Sequence, residues 1–271
     1  MSEVFFITGC VRSATTAFAK ILDTCTNAEV SIEQVPKLLI ESREMTKGNL
    51  AKPEAVLLSA KQPYIQDVLD RGLKYGDKNP AYIPFIAHFP LAWDCKIIFL
   101  VRDGRDVVRS MMDFHELYSG NIFAMAEDGE PEGSAVPEED PWDYSRLRPS
   151  SEDPVCSSWT SFDRFQKCAW HWAKVNELAL DNLAKVDADR RMTVDVSNTD
   201  TETVERVFDF LGLSGFDPVK VGDMLDARIN SLLDKAGKSD RFPKWKAWTD
   251  ERSRMFEKQA GEMMSRLGYW P

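Results

Sequence analysis

The fold is decided near the N-terminus, where residues 4–16 read VFFITGCVRSATT. The run from Val4 to Thr8 is short and apolar, which predicts a β-strand buried on both faces. Within residues 14–22 the apolar side chains recur at the i, i+3, i+4, i+7 spacing of one helix face. The intervening turn starts at Gly9, so exposed backbone N–H groups and the positive helix end meet at one place. The stretch therefore predicts a loop that binds an anion.

The rest of the chain continues as strands that alternate with helices. A second buried run, KIIFLV at residues 96–101, precedes RDGRD and another apolar helical stripe, and residues 193–196 predict one more strand. Helices are predicted over about 161–183, from near Thr201 to Gly212, and in a last periodic segment that ends at Gly268. This alternation predicts an α/β fold of the P-loop type, a three-layer sandwich with a central parallel sheet and helices on both faces.

One segment differs from the rest in composition. Residues 119–158, approximately, are rich in Gly, Pro, Ser and acidic side chains, which predicts an insertion or lid. Its acidic part, residues 127–143, is compatible with repelling an anionic ligand, attracting a basic one, or being a solvated loop. Apart from this segment nothing divides the chain, so residues 1–271 are expected to form a single domain.

Composition excludes several classes of function. The 271 residues include 34 basic and 44 acidic side chains, and the resulting net charge of -10 argues against general nucleic-acid binding. No apolar run approaches the roughly 20 residues of a membrane helix, and the start MSEVFFI lacks the basic region of a signal peptide. The five cysteines are scattered without a C-x-x-C pair, so neither a disulfide framework nor a zinc site is expected. We expect a reduced, cytoplasmic protein without a membrane partner.

The loop at residues 9–16 departs from two common phosphate-binding patterns. In a Walker A loop, G-x-x-x-x-G-K-[ST], a lysine neutralises the terminal phosphates. Here Ala14 takes the place of the second glycine and Thr15 takes the place of the lysine, which leaves Arg12 as the cation. The phosphatase pattern C-x5-R also fails, because the residue six after Cys10 is Thr16. The loop therefore suits an anion other than the triphosphate of a Walker-type enzyme.

Three motifs resemble those of the sulfotransferases that use 3′-phosphoadenosine 5′-phosphosulfate (PAPS). Gly9-x-x-Arg12-Ser13-x-Thr15-Thr16 is similar to their 5′-phosphosulfate loop, P-[KR]-S-G-T-T, with Ala14 in place of the usual glycine. The segment LVRDGRDVVRSMM, residues 100–112, is similar to their 3′-phosphate motif, an arginine at a strand end and a serine eight residues later, here Arg102 and Ser110. One guanidinium fork and one hydroxyl suit a dianionic phosphate. The third motif, GDKNP at residues 76–80, is similar to [GN]-[DE]-K-x-P of bacterial and Golgi-type members.

The resemblance implies a PAPS donor, adenosine 3′,5′-bisphosphate (PAP) as product, and no metal. Its donor-binding residues would be Gly9, Arg12, Ser13, Ala14, Thr15, Thr16, Arg102 and Ser110, with Lys238 and Arg241 added from a basic loop, residues 237–248, placed where the family closes over the nucleotide. The donor half looks most like the tyrosylprotein sulfotransferases, whose glutamate base corresponds to Glu33 by an ungapped count from Arg12. The implied catalytic residues are Glu33, Lys78 and Arg12, with Lys78 close to the transferred sulfate.

Several alternatives stay open at this point. The hydroxyls at residues 13–16 also suit a capped helix start, and His171 is expected to be a core or interface residue that would serve as base if Glu33 does not. Asp103 after the IIFLV run resembles a Walker B aspartate, which would fit a P-loop kinase of a small alcohol. A non-catalytic nucleotide-binding relative is the other alternative. The expected acceptor is a small-molecule or carbohydrate hydroxyl, with a peptide tyrosine as second choice, and the oligomeric state is open.

Overall fold

The computed structural model describes residues 2–118, 122–123, 140–226 and 241–270. The chain divides into two compact units. The first unit comprises residues 1–38, 50–101 and 178–231, and the second comprises residues 39–49, 102–177 and 232–271. The first unit contains the β-sheet, and the described part of the second unit consists of helices and loops. Within the described ranges no helix is both long and apolar enough to cross a membrane.

The sheet of the first unit has five strands. They are β1 (Val4–Gly9), β2 (Ala28–Ile32), β3 (Lys74–Lys78), β4 (Cys95–Val101) and β5 (Arg191–Asp195). The strand order is β2-β3-β1-β4-β5, and every neighbouring pair is parallel. The parallel sheet predicted from the sequence is thereby confirmed. Because parallel strands end at one edge, the residues that follow β1, β2 and β3 leave the sheet on the same side.

The described residues also form helices of several lengths. The helices are α1 (Thr15–Leu22), α2 (Leu39–Thr46), α3 (Pro53–Asp70), α4 (Phe89–Ala92), α5 (Gly104–Tyr118), α6 (Pro141–Tyr144), α7 (Arg164–Leu183), α8 (Thr201–Leu211), α9 (Pro218–Asp226) and α10 (Asp250–Arg266). Two of them end as the sequence predicts. Gly212 after α8 and Gly268 after α10 both have a positive φ, of 67° and 77°, as glycines that end helices do.

Both faces of the sheet are covered within the first unit. On one face the apolar sides of α1, α8 and α9 pack against Phe5 and Ile7 of β1. On the other face Phe6 stacks on Phe89 of α4, with ring centroids 3.9 Å apart, and meets Tyr82 edge to face. Alternate residues of β1 thus point into two different cores, each fully buried aromatic ring contributing about 1.5–3 kcal/mol by area removed from water. This arrangement confirms the three-layer sandwich.

Strand β3 is buried although its sequence lacks the apolar pattern of a buried strand. It reads KYGDK, yet all five of its residues are buried. Its acidic and basic side chains are paired: Lys74 with Glu3, Asp77 with Lys61, and Lys78 with Glu33. A polar segment can occupy the middle of a sheet only when its charges are paired in this way. The pairs at its carboxyl end define the candidate site.

Candidate active site

The loop after β1 has the geometry of an anion-binding turn. A side chain at Gly9 is excluded, since its Cβ would lie 2.5 Å from the carbonyl oxygen of Leu100. Arg12 and Ala14 both adopt left-handed backbone conformations, with φ of 69° and 55°. Ala14 is the N-cap of α1, and no side-chain hydrogen bond of the described residues caps this helix start. The first-turn N–H groups of α1 therefore have no side-chain cap and can bind an anion.

Ser13 provides independent evidence that this loop suits a ligand with hydrogen-bonding oxygens. Its side chain is buried, at 1% exposure, and its Oγ has no hydrogen-bond partner among the described residues. A buried hydroxyl without a partner costs about 1–3 kcal/mol. Thr15 beside it is buried and Thr16 is half-buried. A phosphate or sulfate oxygen in the loop would satisfy the Ser13 hydroxyl.

Lys78 and Glu33 form an ion pair at the carboxyl edge of the sheet. Lys78 is the last residue of β3 and is paired in register with Ile7 of β1 and with Ile32 of β2. Its Nζ lies 2.7 Å from Oε1 of Glu33, the residue that directly follows β2. The Glu33 N–H donates to the Lys78 carbonyl at 2.8 Å, so backbone and side chain are both joined. The structure thus brings together Lys78, which a motif selected, and Glu33, which an ungapped count from Arg12 selected.

Burial controls the electrostatics of Lys78. The residue is only 1% exposed, and burial lowers its pKa below the ordinary lysine value, an effect that the Glu33 carboxylate opposes and Arg12 reinforces. Glu33 itself is partly exposed, at 21% for its side chain, and its second oxygen lies 3.9 Å from Nζ of Lys37. The pair therefore joins a carboxylate that solvent can reach with a lysine side chain that is buried.

Two further lysines of the first unit lie near this pair, and no sequence motif predicts a role for either of them. Lys37, four residues after Glu33, faces its carboxylate. Lys61 of α3 is completely buried and contacts Asp77 and the Gln34 carbonyl. The only sequence signal for Lys37 is its closeness to Glu33 in the chain. For Lys61 there is none, because nothing in the sequence of α3 marks this lysine apart from the contacts it makes.

In the second unit, Arg102 and Ser110 hold positions consistent with their motif. Arg102 directly follows β4, and its carbonyl accepts a hydrogen bond from Nε1 of Trp172 at 3.2 Å. Gly104 starts α5 against the Trp172 ring, where a Cβ would approach to 2.8 Å. Ser110 lies on α5, and both Arg102 and Ser110 are half-buried. Their proposed contact with a 3′-phosphate stays a prediction.

Asp103 has a structural partner. The Arg105 guanidinium donates to both of its carboxylate oxygens, with Nε at 2.9 and 3.1 Å and Nη2 at 2.5 Å. The Arg105 backbone N–H donates to the same carboxylate at 2.9 Å. A Walker B aspartate must face a magnesium ion, whereas this carboxylate is bound by the guanidinium two residues ahead. The resemblance to a Walker B strand therefore does not extend to the environment of the carboxylate.

Arg241 lies in a segment that is bound to α5. The Phe242 N–H donates to Asp113 at 2.7 Å, and the Phe242 carbonyl accepts from Nε of Arg109 at 2.9 Å. Among the described residues, Nη2 of Arg241 is buried and has no hydrogen-bond partner. A guanidinium nitrogen in that situation suits an anionic ligand. Lys238, the other residue assigned to this loop, lies outside the described residues.

His171 is a core residue, as the sequence predicts. It is 4% exposed, stacks edge to face on Phe123, and its Nδ1 lies 3.3 Å from the Leu147 carbonyl. Burial, together with the nearby charge of Arg146, lowers the pKa of His171 to about 3. An imidazole with so low a pKa is a poor base at neutral pH, which makes Glu33 the better candidate.

The predicted lid is described only in part. Residues 124–139, most of its acidic portion, lie outside the described residues. In the remaining part Asp143 is fully buried and accepts hydrogen bonds from Nε of Arg146 at 3.2 Å and Nη2 of Arg148 at 2.9 Å. Trp159 is also fully buried. Residues 140–159 therefore contribute to the core of the second unit.

Comparison with known proteins supports the fold. No protein-family model matches the chain, and no curated protein matches its sequence. Among solved structures, a sulfotransferase domain from the curacin biosynthetic pathway is similar over 99% of this chain and 98% of its own, with 13% identity and a TM-score of 0.51. Mouse sulfotransferase SULT7A1, complexed with PAP, is similar over 98% of this chain and 86% of its own, with 13% identity and a TM-score of 0.51. The chain has the fold of the sulfotransferases.

Proposed function

We propose that this protein is a sulfotransferase that moves a sulfuryl group from PAPS to a hydroxyl of an acceptor and releases PAP. The observation that carries the proposal is the ion pair between Lys78 and Glu33, with 2.7 Å between Nζ and Oε1, at the carboxyl edge of the sheet. On the neighbouring strand β1, the same edge carries the loop in which the buried Ser13 hydroxyl has no partner among the described residues. The sulfotransferase fold supports the same assignment.

The residues of the loop fit the 5′ end of the proposed donor. The first-turn N–H groups of α1, the Ser13 hydroxyl and the guanidinium of Arg12 would bind the 5′-phosphosulfate, together with Thr15 and Thr16. This chain needs no metal in that scheme, because the neutralising charges are side chains. For the 3′-phosphate we propose Arg102 and Ser110 from their motif, and Arg241 from its buried guanidinium nitrogen.

The chemistry of transfer follows from the two paired residues. PAPS supplies the activated sulfuryl group, and displacement at sulfur resembles phosphoryl transfer, where positioning and charge stabilisation provide most of the catalysis. Glu33 takes the proton from the acceptor hydroxyl, a role that typically contributes about 10²–10⁴-fold. The Lys78 ammonium has three N–H donors, one of which is bound to Glu33. Another of these donors stabilises the charge that develops on the leaving oxygen.

The acceptor is proposed only as a class. We favour a hydroxyl of a small molecule or carbohydrate over a peptide tyrosine. Ile32 and Val35, on either side of Glu33 in the chain, are 39% and 56% exposed. An acceptor with an apolar portion would cover these side chains while its hydroxyl lies at Glu33. Burying them would stabilise the complex by about 25 cal/mol for each Å² of apolar surface.

The test is release of PAP from PAPS, measured by chromatography against a panel of hydroxyl acceptors in the presence of EDTA. We expect at least one acceptor to raise the rate of PAP release and to appear as its sulfate ester by mass spectrometry. The matched control is the variant Glu33→Gln. We expect this variant to bind PAP as wild type does, but to produce PAP from PAPS slowly. If no acceptor in the panel raised the rate of PAP release above the rate without acceptor, the proposal would be contradicted.

The kinase alternative is less well supported. It requires a cation in place of the Walker lysine, and the residue at that position is Thr15. It also requires a carboxylate for magnesium, and Asp103 is bound by the Arg105 guanidinium. Phosphorylation of a small alcohol that depends on ATP and magnesium would favour this alternative over sulfuryl transfer.

A further inference from the structure

The short loop that carries Glu33 is held by consecutive residues at the end of β3. Oδ1 of Asp77 accepts a hydrogen bond from the Gln34 N–H at 3.3 Å. The Lys78 carbonyl accepts from the Glu33 N–H at 2.8 Å. Nδ2 of Asn79 donates to the Lys37 carbonyl at 2.8 Å. The segment that contains Lys78 therefore fixes the loop that contains Glu33 at three successive points.

A lysine from α3 completes the contacts around Gln34. Nζ of Lys61 lies 2.5 Å from the Gln34 carbonyl oxygen and 3.3 Å from Oδ2 of Asp77. The side chains of Lys61 and Asp77 are both fully buried. The Tyr82 hydroxyl donates to the same Asp77 oxygen that Lys61 approaches. One buried ion pair thus binds both backbone polar groups of Gln34, the N–H through Asp77 and the carbonyl through Lys61.

The net contribution of such a pair to folding is small. Removing two charges from water costs several kcal/mol per ion, and the attraction between them only offsets that cost when the geometry is good. Burial raises the pKa of Asp77 and lowers the pKa of Lys61, which shows that the site disfavours both charged forms. Each charge partly compensates the other, and a well-packed apolar pair would stabilise the fold at least as well. Stability alone therefore does not account for the choice of these two residues.

Glu33 needs a constraint of this kind. Its φ is 57°, in the left-handed region, which costs a residue with a side chain about 1–2 kcal/mol. A conformation of this type persists only when surrounding contacts enforce it. Gln34 is the next residue in the chain, so fixing its N–H and carbonyl limits the backbone angles of Glu33. In that conformation the Glu33 carboxylate reaches Lys78.

We propose that Lys61 and Asp77 are positioning residues that hold Gln34 and thereby keep the Glu33 carboxylate against Lys78. The catalytic meaning of this assignment rests on the proposed function. The contact of Lys61 and Asp77 with Gln34 does not depend on that function, because it concerns only the conformation of residues 33–37. Loss of the contact should reduce turnover without weakening donor binding, since neither residue belongs to the loop after β1.

The experiment compares Lys61→Met with a matched control, Lys74→Met. Lys74 is also buried, at 7% exposure, and lies at the opposite end of β3, where it donates to the Ser2 carbonyl at 3.0 Å. The double variant Lys61→Met/Asp77→Asn guards against misfolding, because it removes both buried charges and leaves an amide oxygen for Gln34. The measurements are amide hydrogen exchange over residues 33–37, affinity for PAP, and kcat and KM for PAPS.

We expect exchange over residues 33–37 to rise by about tenfold or more in the Lys61 variants and kcat to fall by about 10²-fold. We also expect PAP affinity and the KM for PAPS to stay within about threefold of wild type, a margin well below the tenfold that 1.4 kcal/mol represents. Lys74→Met should match wild type in all three measurements. Unchanged exchange would overturn the positioning assignment, and so would raised exchange with normal kcat. A wild-type protein that binds no PAP would overturn the proposed function, while raised exchange in the variants would still support the contact.

Discussion

Replacing Glu33 by glutamine is the substitution that separates catalysis from binding most clearly. It keeps the size of the side chain and removes its negative charge. The affected contact joins Nζ of Lys78 to Oε1 of Glu33 over 2.7 Å, with side-chain exposures of 2% and 21%. A hydrogen bond between charged groups contributes about 1.5–3 kcal/mol, and the partial exposure of Glu33 places this one at the lower end.

The expected effect on catalysis is larger than the effect on the fold. Loss of a general base lowers turnover by about 10²–10⁴-fold. PAP affinity should remain unchanged, because the loop after β1 and Arg102 are intact. The control is Glu29→Gln on β2, the strand that Glu33 follows; the Glu29 carboxylate forms an exposed pair with Arg71 at 2.7 Å. Exposed pairs contribute little, so this variant should behave as wild type.

The assay measures kcat from PAP release and PAP affinity by calorimetry for wild type and both variants. A Glu33→Gln protein with normal turnover would refute the assignment of Glu33 as base. Parallel loss of PAP affinity and turnover would indicate instead that the Glu33–Lys78 pair serves donor binding.

Three further predictions concern the donor and pH. Ser13→Ala should weaken PAP binding by about tenfold or more, since a hydrogen bond to a charged group is lost. The thermal midpoint of the free protein should not fall, because the hydroxyl has no partner among the described residues. Calorimetry measures the affinity and thermal unfolding the midpoint, and an unchanged PAP affinity would contradict the prediction. Arg102→Ala should weaken PAP binding but not 5′-AMP binding, and equal weakening of both would exclude a 3′-phosphate contact. Burial lowers the pKa of Lys78, and Glu33 opposes that effect. Activity should therefore fall as the pH rises and Lys78 loses its proton, and this fall should begin below the ordinary lysine pKa of 10.5. The residual activity of Glu33→Gln should fall at still lower pH, and an alkaline limb that does not move would contradict this role of Glu33.

The sequence predicts those parts of the fold where hydrophobic pattern and burial coincide. Strands β1 and β4 are continuous apolar runs, and α8 has a regular apolar stripe that ends at Gly212. The strand predicted over residues 193–196 is observed as β5 at Arg191–Asp195, with a boundary shift of one or two residues. Strand β3 has no such pattern, because its buried charges are paired with residues elsewhere in the chain.

The sequence predicts some residues of the candidate site and gives no indication of others. Motif spacing selects the loop at residues 9–16 and Lys78, and an ungapped count from Arg12 finds Glu33, which the structure places in contact with Lys78. The same reasoning gives no signal for Lys61. Its role depends on a contact between α3 and Gln34, and nothing in the sequence of α3, which has an interior proline at Pro63, marks Lys61 for that contact. Contacts of this kind are decided by tertiary structure and leave no local pattern.

The most direct test of the sulfotransferase assignment is calorimetric titration of the protein with PAP in EDTA, with 5′-AMP and ATP as comparison ligands. We predict tight binding of PAP that needs no metal, and weaker binding of 5′-AMP because it lacks the 3′-phosphate. Absence of PAP binding, or binding of ATP that appears only when magnesium is restored, would contradict the sulfotransferase assignment.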